Sequence, residues 1–315
     1  MRYIVLLFIS FIYLQADAHI FVYHRFAEVK HPTTSTSLEE LKKEFEYFKT
    51  HNYKVVPIEK IISKVKHKET IPDNWIALTI DDAYKSFYTN GLKIFKQYHY
   101  PFSLYVYVEA TNRHFKDFMS WKELKEASKY GTINLHSYSH PHLTNISKEQ
   151  IIKDTQKSIE IFTKKMGFKP TIYAYPYGEY NSKVQNALKV FNFDAILNQS
   201  IGSINKNTNL QNIPRIALVG EVNIKHKLRY NSFDIQWIEP LQYPKDGILK
   251  SVKAKVNPKY KKLKLYVTGL GWKDIKVKNG IIDEILNFNL VKSRTRIMLG
   301  QDVFTISTKI LIKGR

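Results

Sequence analysis

Between residues 19 and 220, short runs of apolar, β-favouring residues alternate with stretches whose apolar residues recur at helical spacing. That alternation confines the chain to parallel strands joined by packed helices, as a sheet or a barrel. The runs are Ile20–Tyr23, Trp75–Ile80, Phe102–Val108, Thr132–Leu135, Ile172–Tyr175 and Asp194–Leu197. Helix starts are marked by side chains that accept a hydrogen bond from the free N–H groups of a first turn. Ser37 precedes the stripe Leu38, Leu41, Phe45 and Phe48, with Glu40 at capping-box spacing. Ser120, Ser147 and Asn181 similarly open helices over 121–130, 148–166 and 182–192.

Near residue 230 the helical periodicity stops. Ile248–Val256, Leu263–Val267, Ile285–Leu290 and Thr305–Ile312 read as strands, punctuated by Pro244, Asp246-Gly247 and the hairpin signal Asn279-Gly280. The 315 residues therefore divide into a leader over 1–18, an α/β domain over 19–230 and a small β-sandwich over 231–315.

The leader is read from Met1-Arg2, the apolar run Ile4–Leu14 and the small-residue site Ala16-Asp17-Ala18, the pattern of a secretory signal. Cleavage is expected after Ala18, leaving a secreted or periplasmic protein. No other stretch approaches the roughly 20 apolar residues of a membrane helix, so no transmembrane span is expected. The chain has no cysteine, which excludes thiolate ligands and leaves His, Asp or Glu to hold any metal. A formal charge of +21 is dispersed along the chain, as in Lys42-Lys43 and Lys164-Lys165. Such dispersion describes a solvated basic surface drawn to anionic envelope polymers rather than a reader of nucleic acid.

Three segments carry chemistry. Trp75–Ile80 runs into Asp81-Asp82, setting adjacent carboxylates at the C-terminal end of a buried strand, where α/β proteins build their sites. One can bind a cation while the other faces the reacting atom; alone, the pair reads equally as a helix cap. Thr132–Leu135 ends in His136-Ser137-Tyr138-Ser139-His140-Pro141-His142. The pair His136 and His140 with one carboxylate makes a two-histidine, one-carboxylate ligand set with an open position for water. His142 breaks the spacing and reads as surface. The third segment is Ala174-Tyr175-Pro176-Tyr177-Gly178, whose proline and glycine shape a loop able to approach a ligand closely.

In this order the segments resemble the polysaccharide deacetylases of carbohydrate esterase family 4, the NodB-homology domain, over residues 19–225. Thr79-Ile80-Asp81-Asp82 matches the first motif with Ile for Phe, and His136-Ser137-Tyr138-Ser139-His140 matches the second. The third motif lacks its arginine, and no late Leu-x-His follows. In style the chain is most similar to poly-N-acetylglucosamine deacetylases, where a histidine on the first strand is the acid.

The resemblance implies a distorted (β/α) barrel of about seven strands that hydrolyses N-acetyl groups of an extracytoplasmic N-acetylhexosamine polysaccharide. It implies Asp81 as base, and Asp82, His136 and His140 as ligands of a divalent metal, zinc by default, with cobalt, nickel or iron also suited. Tyr177, with Pro176 and Gly178 around it, would hold the oxyanion. His24 would be the acid, with His226 as the alternative. Arg215 either replaces the missing arginine or makes a structural ion pair. The competing readings are a peptidoglycan N-acetyl deacetylase and an inactive, glycan-binding relative.

Overall fold

A computed structural model of the chain describes residues 17–313, so the expected leader lies outside the described residues up to Ala16. Seven strands, β1 (His19–Tyr23), β2 (Trp75–Ile80), β3 (Ser103–Val106), β4 (Thr132–Leu135), β5 (Ile172–Ala174), β6 (Ala195–Leu197) and β7 (Ile216–Ala217), form one sheet in the order β7-β1-β2-β3-β4-β5-β6. All of these pairings are parallel. A short strand, Lys54–Val55, adds to β2. Ile213 bridges Leu197 of β6 while Ile216 pairs with Phe21 of β1, so the segment between them spans the seam of a distorted (β/α) barrel.

The strands are buried on both faces, as parallel strands covered by helices must be. Because side chains alternate, each strand feeds two cores. Ala77, Tyr105, Ile172, Ala174 and Leu197 pack together on one face. Leu78, Ile80, Leu104, Val106, Leu135 and Tyr173 pack on the other, against helical rings that include Phe45, Phe48, Phe95 and Phe162. Burial of each such ring or aliphatic side chain stabilises the fold by about 1.5–3 kcal/mol. The period of two continues past the strand ends: Asp81 follows Ala77 and Thr79, and His136 follows Asn134, onto the first face.

Local signals set the helices. The Ser37 hydroxyl accepts from the Glu40 N–H, but the Glu40 carboxylate turns away to Lys43 and the Val222 N–H, so the expected box is half-formed. Ser120 and Ser147 make complete capping boxes, and the Asn181 side chain accepts from the Val184 N–H. Each cap contributes about 1 kcal/mol. The strand expected over Phe102–Val108 stops at Val106, and Val108–Asn112 is a short helix.

Beyond residue 230 a five-stranded and a three-stranded sheet enclose a third core around Phe233, Leu249, Val252, Leu265, Ile297 and Leu311. Two of its strands, Gly271–Lys276 and Arg294–Gly300, were not legible, because polar side chains on their outer positions break up the apolar run. Asn279 and Gly280 both adopt positive φ, 50° and 77°, and close a bridge between Lys278 and Ile281, the turn their identity calls for.

Candidate active site

Strand register brings the chemistry together. Tyr23 pairs with Ile80, Val106 with Leu135, and Leu135 with Tyr173. The residues that follow, His24, Asp81, His136 and the loop from Tyr175, therefore emerge at one level at the C-terminal rim. The Asp81 N–H donates to the Tyr23 carbonyl and the His136 N–H to that of Val106, which continues the ladder one residue into the site.

At the rim the backbone leaves ordinary conformations. Asp82, Ala83, Ser137, His140 and Tyr177 all have positive φ, between 50° and 70°. Each costs on the order of 1–3 kcal/mol for a residue with a Cβ, a strain typical of functional sites. The turn at Asp82 swings its carboxylate from the strand toward the histidines.

Asp82 Oδ1, His136 Nε2 and His140 Nε2 form a triangle with sides of 3.4, 3.1 and 3.2 Å. Ligand atoms at the usual bond lengths of a tetrahedral centre lie about 3.3–3.4 Å apart, so this triangle matches one face of such a centre and leaves the fourth corner open. Asp82 Oδ1 is buried and has no hydrogen-bond partner among the described residues, as expected of an atom reserved for a cation. His136 Nδ1 donates to the Ala174 carbonyl at 2.8 Å, which leaves Nε2 with its lone pair toward the triangle. Burial lowers the His136 imidazole to about 4 against the pull of Asp81, so it is neutral near pH 7. Burial would raise Asp82, but the imidazoles of His140 and His136 outweigh it and hold the carboxyl well below its ordinary range. These residues fit a divalent metal ion.

Asp81 is fully buried and stands beside the triangle, its Oδ2 3.9 Å from His136 Nε2. Arg215 donates to both of its oxygens, Nη1 to Oδ1 at 2.7 Å and Nη2 to Oδ2 at 2.8 Å. The guanidinium also donates to the Asn198 carbonyl and to Thr79 Oγ1. Burial would raise the Asp81 carboxyl, yet Arg215 first, then His136 and His24, bring it below its ordinary value. Arg215 lies between the two seam contacts, where the chain crosses from the last strand to the first.

His24 stands beside the same carboxylate, with Nε2 4.0 Å from Asp81 Oδ2 and a side chain 14 % exposed. His226 lies elsewhere, in the short helix Ile224–Lys227, and its ring neighbours are Tyr230 and Phe304. Those contacts favour His24 over His226 as the candidate beside Asp81.

Tyr177, 37 % exposed as a residue, sits in a single turn over Pro176–Gly178 with its ring beside His140. Gly178 has φ +66° and passes so close to Gln199 that a Cβ would lie 2.6 Å from its backbone nitrogen. His142 is not merely a surface residue: it stacks on Tyr177 at 4.0 Å and its Nδ1 pairs with Glu179 at 2.8 Å. Asp154 was also missed. Its carboxylate accepts from the N–H groups of Tyr138 and Ser139, both at 2.9 Å, and so pins the loop between the two ligand histidines. Its place in the middle of the Lys148–Met166 helix gave no sequence signal of that contact.

Residues 68–196 match the family model for polysaccharide deacetylase. The chain is 26 % identical over 224 residues to the poly-β-1,6-N-acetyl-D-glucosamine N-deacetylase of Staphylococcus aureus (strain MSSA476), covering 67 % of this chain and 76 % of that protein. The corresponding protein of Staphylococcus epidermidis is 26 % identical over 168 residues, 49 % of this chain and 58 % of the relative. The fold matches the Streptococcus pyogenes deacetylase PplD with a TM-score of 0.62 at 18 % identity, over 67 % of this chain and 98 % of that one. It matches IcaB from Ammonifex degensii with a TM-score of 0.58 at 18 % identity, over 65 % and 92 %. No helix among the described residues is long and apolar enough to cross a membrane. With its motifs gathered at one rim of this barrel, the chain carries a polysaccharide deacetylase domain, matched over residues 68–196.

Proposed function

We propose that the protein is a metal-dependent N-deacetylase of an extracytoplasmic N-acetylhexosamine polysaccharide, and that a poly-β-1,6-N-acetylglucosamine is its substrate. The observation that carries this reading is a carboxylate, Asp81, clamped by Arg215 beside a two-histidine, one-carboxylate triangle with an open fourth corner. The named activity of the staphylococcal relatives supports the choice of polymer.

Asp82, His136 and His140 would hold the divalent ion, zinc by default. When bound, it acidifies water and polarises the acetamide carbonyl. Asp81 receives the proton of the attacking water, and Arg215 keeps both carboxylate oxygens oriented for that transfer. The Tyr177 N–H donates to the oxygen that becomes negative, with Pro176 and Gly178 fixing the turn. His24 gives a proton to the sugar amine as it departs.

Residues 19–230 make the catalytic domain and 231–315 a separate small one. The leader directs export to a secreted or periplasmic location, where the basic surface meets anionic envelope polymers. Cleavage falls near Ala18, at the small-residue site Ala16-Asp17-Ala18. The Asp17 carboxylate accepts from Ser203 Oγ and the Ser232 N–H, and Ala18 exchanges backbone hydrogen bonds with Ile204.

The test is acetate release by the purified protein from β-1,6-linked N-acetylglucosamine oligomers and from peptidoglycan. Release from the oligomers in preference is expected. Release from peptidoglycan alone would transfer the reading to a peptidoglycan deacetylase.

A further inference from the structure

Arg294, on the strand Arg294–Gly300 of the C-terminal sheets, reaches the catalytic loop. Its Nη1 donates to the Tyr177 carbonyl at 2.7 Å and lies 3.8 Å from Glu179 Oε1. The other oxygen of that carboxylate accepts from His142 Nδ1 at 2.8 Å, and the His142 ring lies on the Tyr177 ring at 4.0 Å and 9°. Tyr177 is thus held by its carbonyl from one side and by its ring from the other.

This matters because the residue adopts φ 59° and ψ 6°, a left-handed conformation that a tyrosine does not favour unaided. Such a conformation persists only where surroundings over-determine it. Glu179 is 5 % exposed and the Arg294 side chain 31 % exposed, so their attraction is only partly screened by solvent. The Tyr177 ring also packs edge-on to His140 at 4.4 Å, so its position is shared with a ligand of the triangle.

We propose that Arg294 is a positioning residue for deacetylation: through the Tyr177 carbonyl and Glu179 it fixes the orientation of the Tyr177 N–H and the packing of His140. The C-terminal sheets then complete the catalytic rim instead of serving as an appendage. This inference rests on the deacetylase reading, and it adds a contribution from outside the family-matched residues 68–196.

The test compares Arg294→Ala and Arg294→Lys with the parent chain, metal-loaded and full length. For Arg294→Ala, kcat is expected to fall on the order of 10–10²-fold with KM within about twofold, as for a misplaced donor that acts in the transition state. Arg294→Lys, which keeps one donor and the charge, is expected to recover part of kcat. Independently of turnover, hydrogen exchange of the segment 173–181 is expected to be faster in Arg294→Ala by about tenfold or more, with β1 and β2 unchanged. Unchanged exchange of that segment, or normal kcat with only a lowered Tm, would reduce Arg294 to a staple between sheets and overturn the inference. If the parent chain releases no acetate, the deacetylase reading fails, and the exchange measurement still decides whether Arg294 orders the loop.

Discussion

Arg215 embraces Asp81 with two parallel hydrogen bonds of 2.7 and 2.8 Å, and both side chains are buried. The family's motif arginine is absent from the Tyr-Pro-Tyr-Gly loop, yet a guanidinium arrives at the carboxylate from the barrel seam. Lysine has a charge without the planar fork, so Arg215→Lys is expected to lower kcat on the order of 10²-fold while retaining metal. Arg215→Ala strands a buried carboxylate and is expected to cost about 3–5 kcal/mol of stability, read by denaturant unfolding. Full kcat in Arg215→Lys would show that the pair is structural alone.

Asp81 and Asp82 are neighbours with different surroundings, one facing Arg215 and the other the imidazoles. Asp81→Asn is expected to retain the metal and lose on the order of 10²-fold or more in kcat, as for a positioned base. Asp82→Asn is expected to lose metal. Metal content of the purified variants separates the two, and equal loss in both would mean the roles are wrongly divided.

His24 stands 4.0 Å from the Asp81 carboxylate, and its buried Nδ1 has no hydrogen-bond partner among the described residues. As the acid, it is needed only when the amine departs. His24→Ala is expected to keep the metal, to lose kcat and to change the alkaline limb of the pH–rate profile. Near-normal turnover combined with a lowered Tm would make it a structural histidine.

Glu44 lies on the helix Leu38–Thr50 and accepts from the Tyr23 hydroxyl at 2.6 Å, one residue before His24. Burial, with Glu40 adding to it, raises its carboxyl to about 8 against the lowering effect of Tyr23 and Lys43. The folded chain therefore binds a proton that the unfolded chain has released above its ordinary value of 4.5. That contribution is fully present below the unfolded value and is lost as the pH rises through the folded one. Glu44→Gln is expected to flatten the fall of Tm across this window and to raise Tm above that of the parent chain at about pH 9. An unchanged slope would mean that the carboxyl is ionised in the fold.

Much of the site was legible because its residues sit at strand ends. Asp81, Asp82, His136 and His140 each follow an apolar run whose parallel pairing fixes their level, and a pattern of run and terminus is local in sequence. Arg215 was visible as a candidate but not its partner, since the choice between Asp81 and another carboxylate depends on how the seam closes. Asp154 and Arg294 were invisible for the same reason in stronger form. One is an acid on a long amphipathic helix and the other a basic residue on a half-exposed strand, and only tertiary contact gives either a role. In the C-terminal sheets, the strand Gly271–Lys276 buries Ile275 alone, so the alternation on which strand recognition depends is nearly absent.

The most direct measurement is acetate release from β-1,6-linked N-acetylglucosamine oligomers by the same preparation before chelation, after exhaustive chelation, and after adding back Zn²⁺ or Co²⁺. Activity should disappear with the metal and return with it, and His136→Ala and His140→Ala should neither bind the ion nor recover. Undiminished release from the metal-free protein, or no release at any metal loading, would contradict the assignment of Asp82, His136 and His140 as the centre of a deacetylase.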